Sequence, residues 1–384
     1  MRAIEAQGEH PQQGGTPERL FFLDWLRIIA FLILVLYHVG MYYVTWDFHV
    51  KSPHASHALE PWMKLSEPWR MSLLFMVSGA ATAFMLKRGA TGALLRWRTR
   101  HLLLPLLCGV VLIVPPQSYF QVVQKWQYSG GYLDFLKLYF QHYKGFCQNG
   151  NCLILPTWNH LWFLPYLWVY TLLLWLAVRL LPQALTALAL LMRNMLSNAG
   201  LMLVPIGWIF ALRITLFARY PETHALWGDW FSHAVYFGMF LTGASFTTEP
   251  QFWDRLESWR WPALLSAIIF WAILVGIRPG GVMEHAVVAT FQWCALVAAF
   301  GFARRLLNQD HPARRDLTQA VFPVYLFHQT IIIVASQWMQ PLQWPPTTEG
   351  PALVLLTLGL SYAGYRGVRR VPMLRPWFGL RPLP

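Results

Sequence analysis

Long apolar stretches alternate with short polar connections along the whole chain. Ten apolar runs cover residues 20–44, 71–86, 102–117, 161–181, 199–217, 233–246, 262–277, 286–302, 320–339 and 351–365. A helix needs about 20 residues to cross a bilayer, so the shorter runs predict helices that continue into their flanks. The expected fold class is therefore all-α: a polytopic membrane helix bundle with about ten transmembrane helices and no internal repeat. An even count puts both termini on one side. With the N-terminus inside, the inner segments collect 20 lysines and arginines against 8 in the outer ones, and Arg27 and Arg213 remain within spans. That bias places both termini in the cytoplasm.

Composition sharpens this picture. Charged residues make up 12% of the chain, about half the share in a soluble domain. A net charge of +13 would suggest nucleic acid on a soluble protein. Here the basic residues sit in connections that flank apolar runs, so no separate basic surface exists and no nucleic-acid partner is expected. Residues 1–18 are polar, rich in Gln, Gly and Pro, and lack the layout of a signal peptide. They are expected as a disordered cytoplasmic tail, followed by a transmembrane domain over 19–370 and a second cytoplasmic tail over 371–384. Cys108 and Cys294 fall in apolar runs as small hydrophobes. Cys147 and Cys152 share one loop, and a local disulfide is open to them if that loop lies outside the cytoplasm. No second ligand pair follows at zinc spacing, so no metal is expected.

The outer segments 45–69 and 118–159 are long and rich in His, Trp, Tyr and Pro. Such residues form interfacial belts, and their rings also stack on sugars. The sequence leaves both roles open.

The first run carries the most informative polar residues. Arg27 and His38 are eleven residues apart, three turns plus about 20°, so they share one helix face at an axial separation of about 16 Å. Asp24 falls on the same face and lies three residues from Arg27, within pairing reach. Charged groups at this depth face a bundle interior or a wet cavity. One reading has this stripe grip two ends of a long ligand that enters from the cytoplasm. The other has Arg27 snorkelling inward and His38 making an interhelical hydrogen bond. Arg96, Arg98 and Arg100 lie in an expected inner loop, 96–101, which serves as a positive-inside anchor and also suits phosphates. His160 and Trp162 mark the outer mouth of the fourth run. Tyr325 and His328 lie in the ninth. The small patch Ser78-Gly79-Ala80-Ala81 reads as close helix packing.

Taken in order, these motifs resemble the membrane acyltransferase 3 family. Phe22-Leu23-Asp24-Trp25-Leu26-Arg27 through Tyr37-His38 looks like its Arg-x10-His signature. The likeness continues with Arg70-Met71, Phe75-Met76-Val77-Ser78-Gly79, the basic stretch before Leu104-Pro105, His160-Leu161-Trp162-Phe163-Leu164 and Tyr325-Leu326-Phe327-His328. It spans nearly the whole chain. Trp46-Asp47-Phe48-His49-Val50-Lys51-Ser52 looks closest to a branch similar to a succinyltransferase of periplasmic glucans.

The resemblance implies an O-acyltransferase of the bacterial inner membrane. It would use acyl-CoA from the cytoplasm as co-substrate, succinyl-CoA or acetyl-CoA, and no metal. The acceptor would be a hydroxyl of a periplasmic glucan or another extracytoplasmic carbohydrate, with glucan-synthesis proteins as further partners. On this reading His38 is the catalytic base, with Arg27 and Asp24 beside it. Arg96, Arg98 and Arg100 meet the CoA, and His49, His160, Trp162, Tyr325 and His328 meet the acceptor. Neutral His suits base catalysis near pH 7. Direct transfer and a transient acyl-His both remain open. The rival is a proton-coupled secondary transporter that uses buried Asp24, Arg27 and His38 as a relay. The sequence predicts neither the inverted repeat nor the paired broken helices of such proteins.

Overall fold

The structure is a computed structural model that describes residues 20–87, 91–148, 150–247 and 249–382. The tail expected over 1–18 lies outside the described residues. The first half of the chain forms α1 (Phe21–Tyr43), α2 (Glu60–Met63), α3 (Glu67–Lys87), α4 (Thr91–Cys108), α5 (Pro115–Trp126), α6 (Tyr132–Phe140) and α7 (Phe163–Leu180). The second half forms α8 (Pro182–Met195), α9 (Gly200–Leu212), α10 (Trp230–Phe246), α11 (Pro250–Ser258), α12 (Arg260–Gly276), α13 (Gly281–Leu307), α14 (Pro312–Met339) and α15 (Pro346–Arg370). Among the described residues the only strands are β1 (Cys147–Gln148) and β2 (Asn151–Cys152), paired antiparallel.

Six stretches are long and apolar enough to cross a membrane, and two bent helix pairs raise the count to eight. The bent pairs are Gly92–Ile113 with Pro115–Trp126 at 43°, and Pro250–Ser258 with Arg260–Gly276 at 56°. Every apolar run of the sequence falls on a helix. The two beyond the eight fall on α10, which has only 17 residues, and on α15, whose ends carry Glu349 and three arginines.

Close packing sets the helix order. A Cβ added at Gly79 of α3 would stand 1.9 Å from the Phe240 carbonyl oxygen on α10. A Cβ at Gly243 of α10 would stand 1.9 Å from the Met76 carbonyl oxygen on α3. The two helices therefore cross backbone to backbone, as small residues permit in a membrane. Around that crossing Phe75, Tyr166, Phe240, Trp293 and Leu326 are buried in one continuous core.

The basic stretch 96–101, expected as a loop, is helical and belongs to α4. Leu94-Leu95-Arg96-Trp97-Arg98 contains no Gly or Pro, and Leu and Arg favour helix. The helix separates the three arginines. Arg96 and Arg100 lie about 40° apart and are exposed, whereas Arg98 is turned some 160° from them and is buried. At the other terminus, residues of the expected tail pack under the bundle. Phe378 meets Phe327 at 5.1 Å between ring centroids, and Arg375 donates to the Arg369 and Arg381 carbonyls at 2.9 and 2.7 Å.

The long segments expected outside are folded rather than loose. Residues 118–155 build a small core from Val122, Phe135, Tyr139, Phe146 and Leu155, and Cys147 and Cys152 are joined in a disulfide.

Candidate active site

The site forms where the last turns of α1 meet the middle of α14. Helix α1 is unbroken from Phe21 to Tyr43, so the spacing of its polar residues is helical throughout. His38 Nδ1 lies 2.9 Å from Nε2 of His328. His328 is fully buried, and its Nδ1 lies 2.7 Å from the Tyr325 carbonyl oxygen. A carbonyl only accepts, so His328 Nδ1 carries the hydrogen. In a neutral imidazole the other nitrogen is then an acceptor. His38 Nδ1–H therefore donates to His328 Nε2, and the lone pair of His38 sits on Nε2. Among the described residues that nitrogen has no hydrogen-bond partner, it is not sealed in, and His38 lines a cavity.

His160 supports this pair from the side. Its ring stands edge-on to His328, with centroids 5.1 Å apart. Nε2–H donates to the Leu326 carbonyl at 3.2 Å, and Nδ1 accepts from Gln117 Nε2 at 3.3 Å. Both nitrogens are engaged, so His160 orients rather than exchanges a proton. Tyr325 donates its hydroxyl to the His160 carbonyl at 2.6 Å. Gln117, fully buried at the start of α5, binds the rest. It donates to Thr330 Oγ1 at 2.7 Å and accepts from Asn159 Nδ2 and Gln329 Nε2 at 3.1 and 3.0 Å. The bend between α4 and α5 brings Gln117 to this position.

The cavity holds about 620 Å³, within the range of small-ligand sites. His38, His160, Trp162 and Tyr325 line it together with Tyr37, Trp46 and Arg70. Trp162 is largely covered, because His224 stacks on it at 4.2 Å. His49 stands outside this group. It donates from Nδ1 to Gln121 Oε1 at 2.7 Å on the outer segment, and burial holds its pKa down to about 4.

Asp24, Arg27 and the α4 arginines lie apart from the cavity, toward the other end of the bundle. Arg27 pairs with Asp24 at 3.8 Å and approaches the Thr318 carbonyl at 3.5 Å. Asp24 also forms an ion pair with Arg314 of α14. Arg314 is fully buried and bonds Asp310 as well, at 2.7 Å. Hydrogen bonds from Arg315 and Arg314 hold the Asp310 carboxyl down to about 2. Arg98 donates to Thr82 Oγ1 at 2.7 Å, twelve residues and about 18 Å along α3 from Arg70. Arg96 and Arg100 remain at the surface.

Arg314 and Gln117 carry little signal in the sequence. A basic residue just inside a helix start looks like any membrane-flanking charge, and its aspartate partner is 290 residues away. A Gln at the end of an apolar run beside Pro115-Pro116 was the available signal for a buried polar hub. Among the described residues no group of three or more His, Cys, Asp or Glu side chains is arranged to hold a metal ion.

Comparison with known proteins agrees with the motif order. The acyltransferase domain family, acyltransferase 3, matches residues 20–366. Glucans biosynthesis protein C of Escherichia coli strain K12 is 23% identical over 395 aligned residues, covering 95% of this chain and 96% of that protein. The proteins of the same name from Escherichia coli strains SMS-3-5 and UMN026 show the same identity and coverage. No solved structure matches.

Proposed function

The chain belongs to this acyltransferase family, and on that premise we propose that it carries an acyl group from cytoplasmic acyl-CoA to a hydroxyl of a periplasmic glucan, with His38 as general base. The observation that carries the assignment is the 2.9 Å contact from His38 Nδ1 to His328 Nε2, which directs the basic nitrogen of His38 to the cavity. The acceptor hydroxyl gives its proton to His38 Nε2 while its oxygen attacks the thioester carbonyl. The tetrahedral intermediate collapses, the carbon–sulfur bond breaks, and the thiolate takes the proton from His38 to leave as CoA thiol. While His38 is an imidazolium, Nδ1–H still donates to His328, and the charge is shared with a buried acceptor.

The donor enters from the opposite end. Arg27 and Arg98 suit the CoA phosphates there, and Asp24 orients Arg27. The exposed Arg96 and Arg100 contribute long-range attraction. The pantetheine arm spans the about 16 Å from Arg27 to His38 along α1. Succinyl is the favoured acyl group on the branch resemblance carried by residues 46–52, and acetyl is the second choice; the relatives' name supports a glucan acceptor. His160, Tyr325 and His328 hold the acceptor end in shape, and Trp162 and His49 guide the glucan from outside.

This reading takes all ten apolar helices as spans in the inner membrane, with both termini in the cytoplasm. The disulfide between Cys147 and Cys152 supports it, because disulfides persist on the oxidising side. The transporter alternative makes Asp24 a relay site, whereas its carboxylate is ion-paired with Arg314 and Arg27.

The test uses purified protein in liposomes, radiolabelled acetyl-CoA or succinyl-CoA on the cytoplasmic face, and periplasmic glucan on the other. Label should reach the glucan from one donor and vanish in His38→Ala. Label retained in that variant overturns the assignment.

A further inference from the structure

The cavity carries charges of both signs on its wall. Arg70 and Arg213 line it, as do Glu67, Glu222 and Glu284. Among the described residues, neither arginine lies within 4.0 Å of any of these carboxylates in an ion pair. Other contacts hold them apart. Arg70, 5% exposed, lies 3.7 Å over the ring of Tyr37 and bonds Ser66 Oγ at 3.3 Å. Its Nε carries no hydrogen bond. Arg213 stands 4.8 Å over Phe217, and its Nε is also without one. Glu222 accepts from Tyr236 at 2.6 Å and from His224 at 3.1 Å. Both bonds fall on Oε1, so Oε2 is left to the cavity.

Opposite charges that share one pocket without pairing need a ligand that serves both. Buried guanidiniums need acceptors, and carboxylates need donors. An anion would meet three carboxylates, and a cation would meet two guanidiniums and the Lys64 ammonium. A neutral polyol satisfies both signs, because each hydroxyl donates and accepts. Trp46 on the same cavity offers a ring for stacking.

We propose that this wall is the acceptor subsite, holding one neutral hexopyranose ring between Glu222 and Arg70 with Arg213 and Glu284 beside it, so that a ring hydroxyl faces His38 Nε2. The assignment rests on the acceptor being a carbohydrate, as proposed above, and adds which residues recognise it and that it is uncharged where it binds.

The test is calorimetric titration of the full chain in nanodiscs. The probes are neutral glucose trimers, α- and β-linked, one of each linkage in turn, and the same trimers ending in glucuronic acid. Wild type should bind a neutral trimer saturably. Glu222→Gln and Arg213→Gln should each weaken binding at least about tenfold, the scale of one lost charge-assisted hydrogen bond, with unchanged melting temperature. Should Arg213→Gln not fold, Glu284→Gln carries the same test. Unaltered affinity in these variants, preference for the charged trimers, or no binding by wild type each overturns the subsite. Binding as expected with no acyl transfer from either CoA leaves the subsite standing and removes the catalytic reading instead.

Discussion

Nδ1 of His38 on α1 lies 2.9 Å from Nε2 of His328 on α14, across 290 residues of sequence. The backbone carbonyl of Tyr325 holds the far nitrogen of His328 at 2.7 Å, so a main-chain oxygen sets the tautomer of both rings. A base oriented this way loses function in stages. His38→Ala should reduce acyl transfer by about 10²–10⁴-fold, the span of general base catalysis. His328→Gln keeps an acceptor for His38 Nδ1–H and should retain more activity than His328→Leu. Steady-state transfer rates of the three variants check this order, and equal rates for Gln and Leu would remove the tautomer argument.

The crossing of α3 and α10 leaves no room for a methyl group at either glycine. Gly79→Ala and Gly243→Ala should each destabilise the bundle by about 1–3 kcal/mol, as overpacking does. Because relief at one glycine helps the other, the double variant should cost less than the sum. Thermal unfolding in detergent measures both effects.

Asp24 lies on the face of α1 that bears Arg27 and His38, yet it is paired with a buried arginine. Removing one partner of such a pair costs about 3–5 kcal/mol, and less here because Asp310 still binds Arg314. Asp24→Asn should therefore lower the melting temperature more than it lowers the turnover of the folded fraction. Turnover per folded molecule, corrected by size-exclusion yield, separates the two. A large drop in turnover at wild-type stability would return Asp24 to the chemistry.

His49 supplies a pH signature outside the bilayer. Its pKa is held at about 4 in the fold by burial, against about 6.5 when unfolded. The unfolded chain thus takes up a proton first as pH falls. Stability is full above about 6.5 and is lost progressively toward pH 4. His49→Gln removes this titration, so the gap in melting temperature between it and wild type should shift in the variant's favour over that window. A constant gap from pH 7 to 4 contradicts the burial.

The cysteines report topology. Cys147 and Cys152 are disulfide-bonded, while Cys108 and Cys294 are buried free thiols. A membrane-impermeant maleimide added outside spheroplasts should label the chain only after mild reduction, and Cys152→Ser should label without it. Labelling confined to inverted vesicles would place the loop, and with it the cavity, on the cytoplasmic side.

Much of this was legible in the residue pattern because helical geometry is local. The ten apolar runs all became helices, and the stripe of Asp24, Arg27 and His38 follows from 100° and 1.5 Å per residue. Ser78-Gly79-Ala80-Ala81 announced a close crossing by size alone. The charge of the stretch 96–101 suggests a connection, while its helix-forming residues continue the turn and make it part of α4.

What the sequence determined by itself is the solvent, the class of fold, and the face and depth of each polar group along its own helix. Tertiary structure alone decided the partners: His328 for His38, Arg314 for Asp24, Gln117 for His160, and Arg98 rather than Arg96 or Arg100 as the buried cation. The physical reason is range. Periodicity acts over a few residues, whereas a hydrogen bond between helices depends on their relative rotation and depth. Those are set by packing over the whole bundle, down to the two glycines that let α3 and α10 touch.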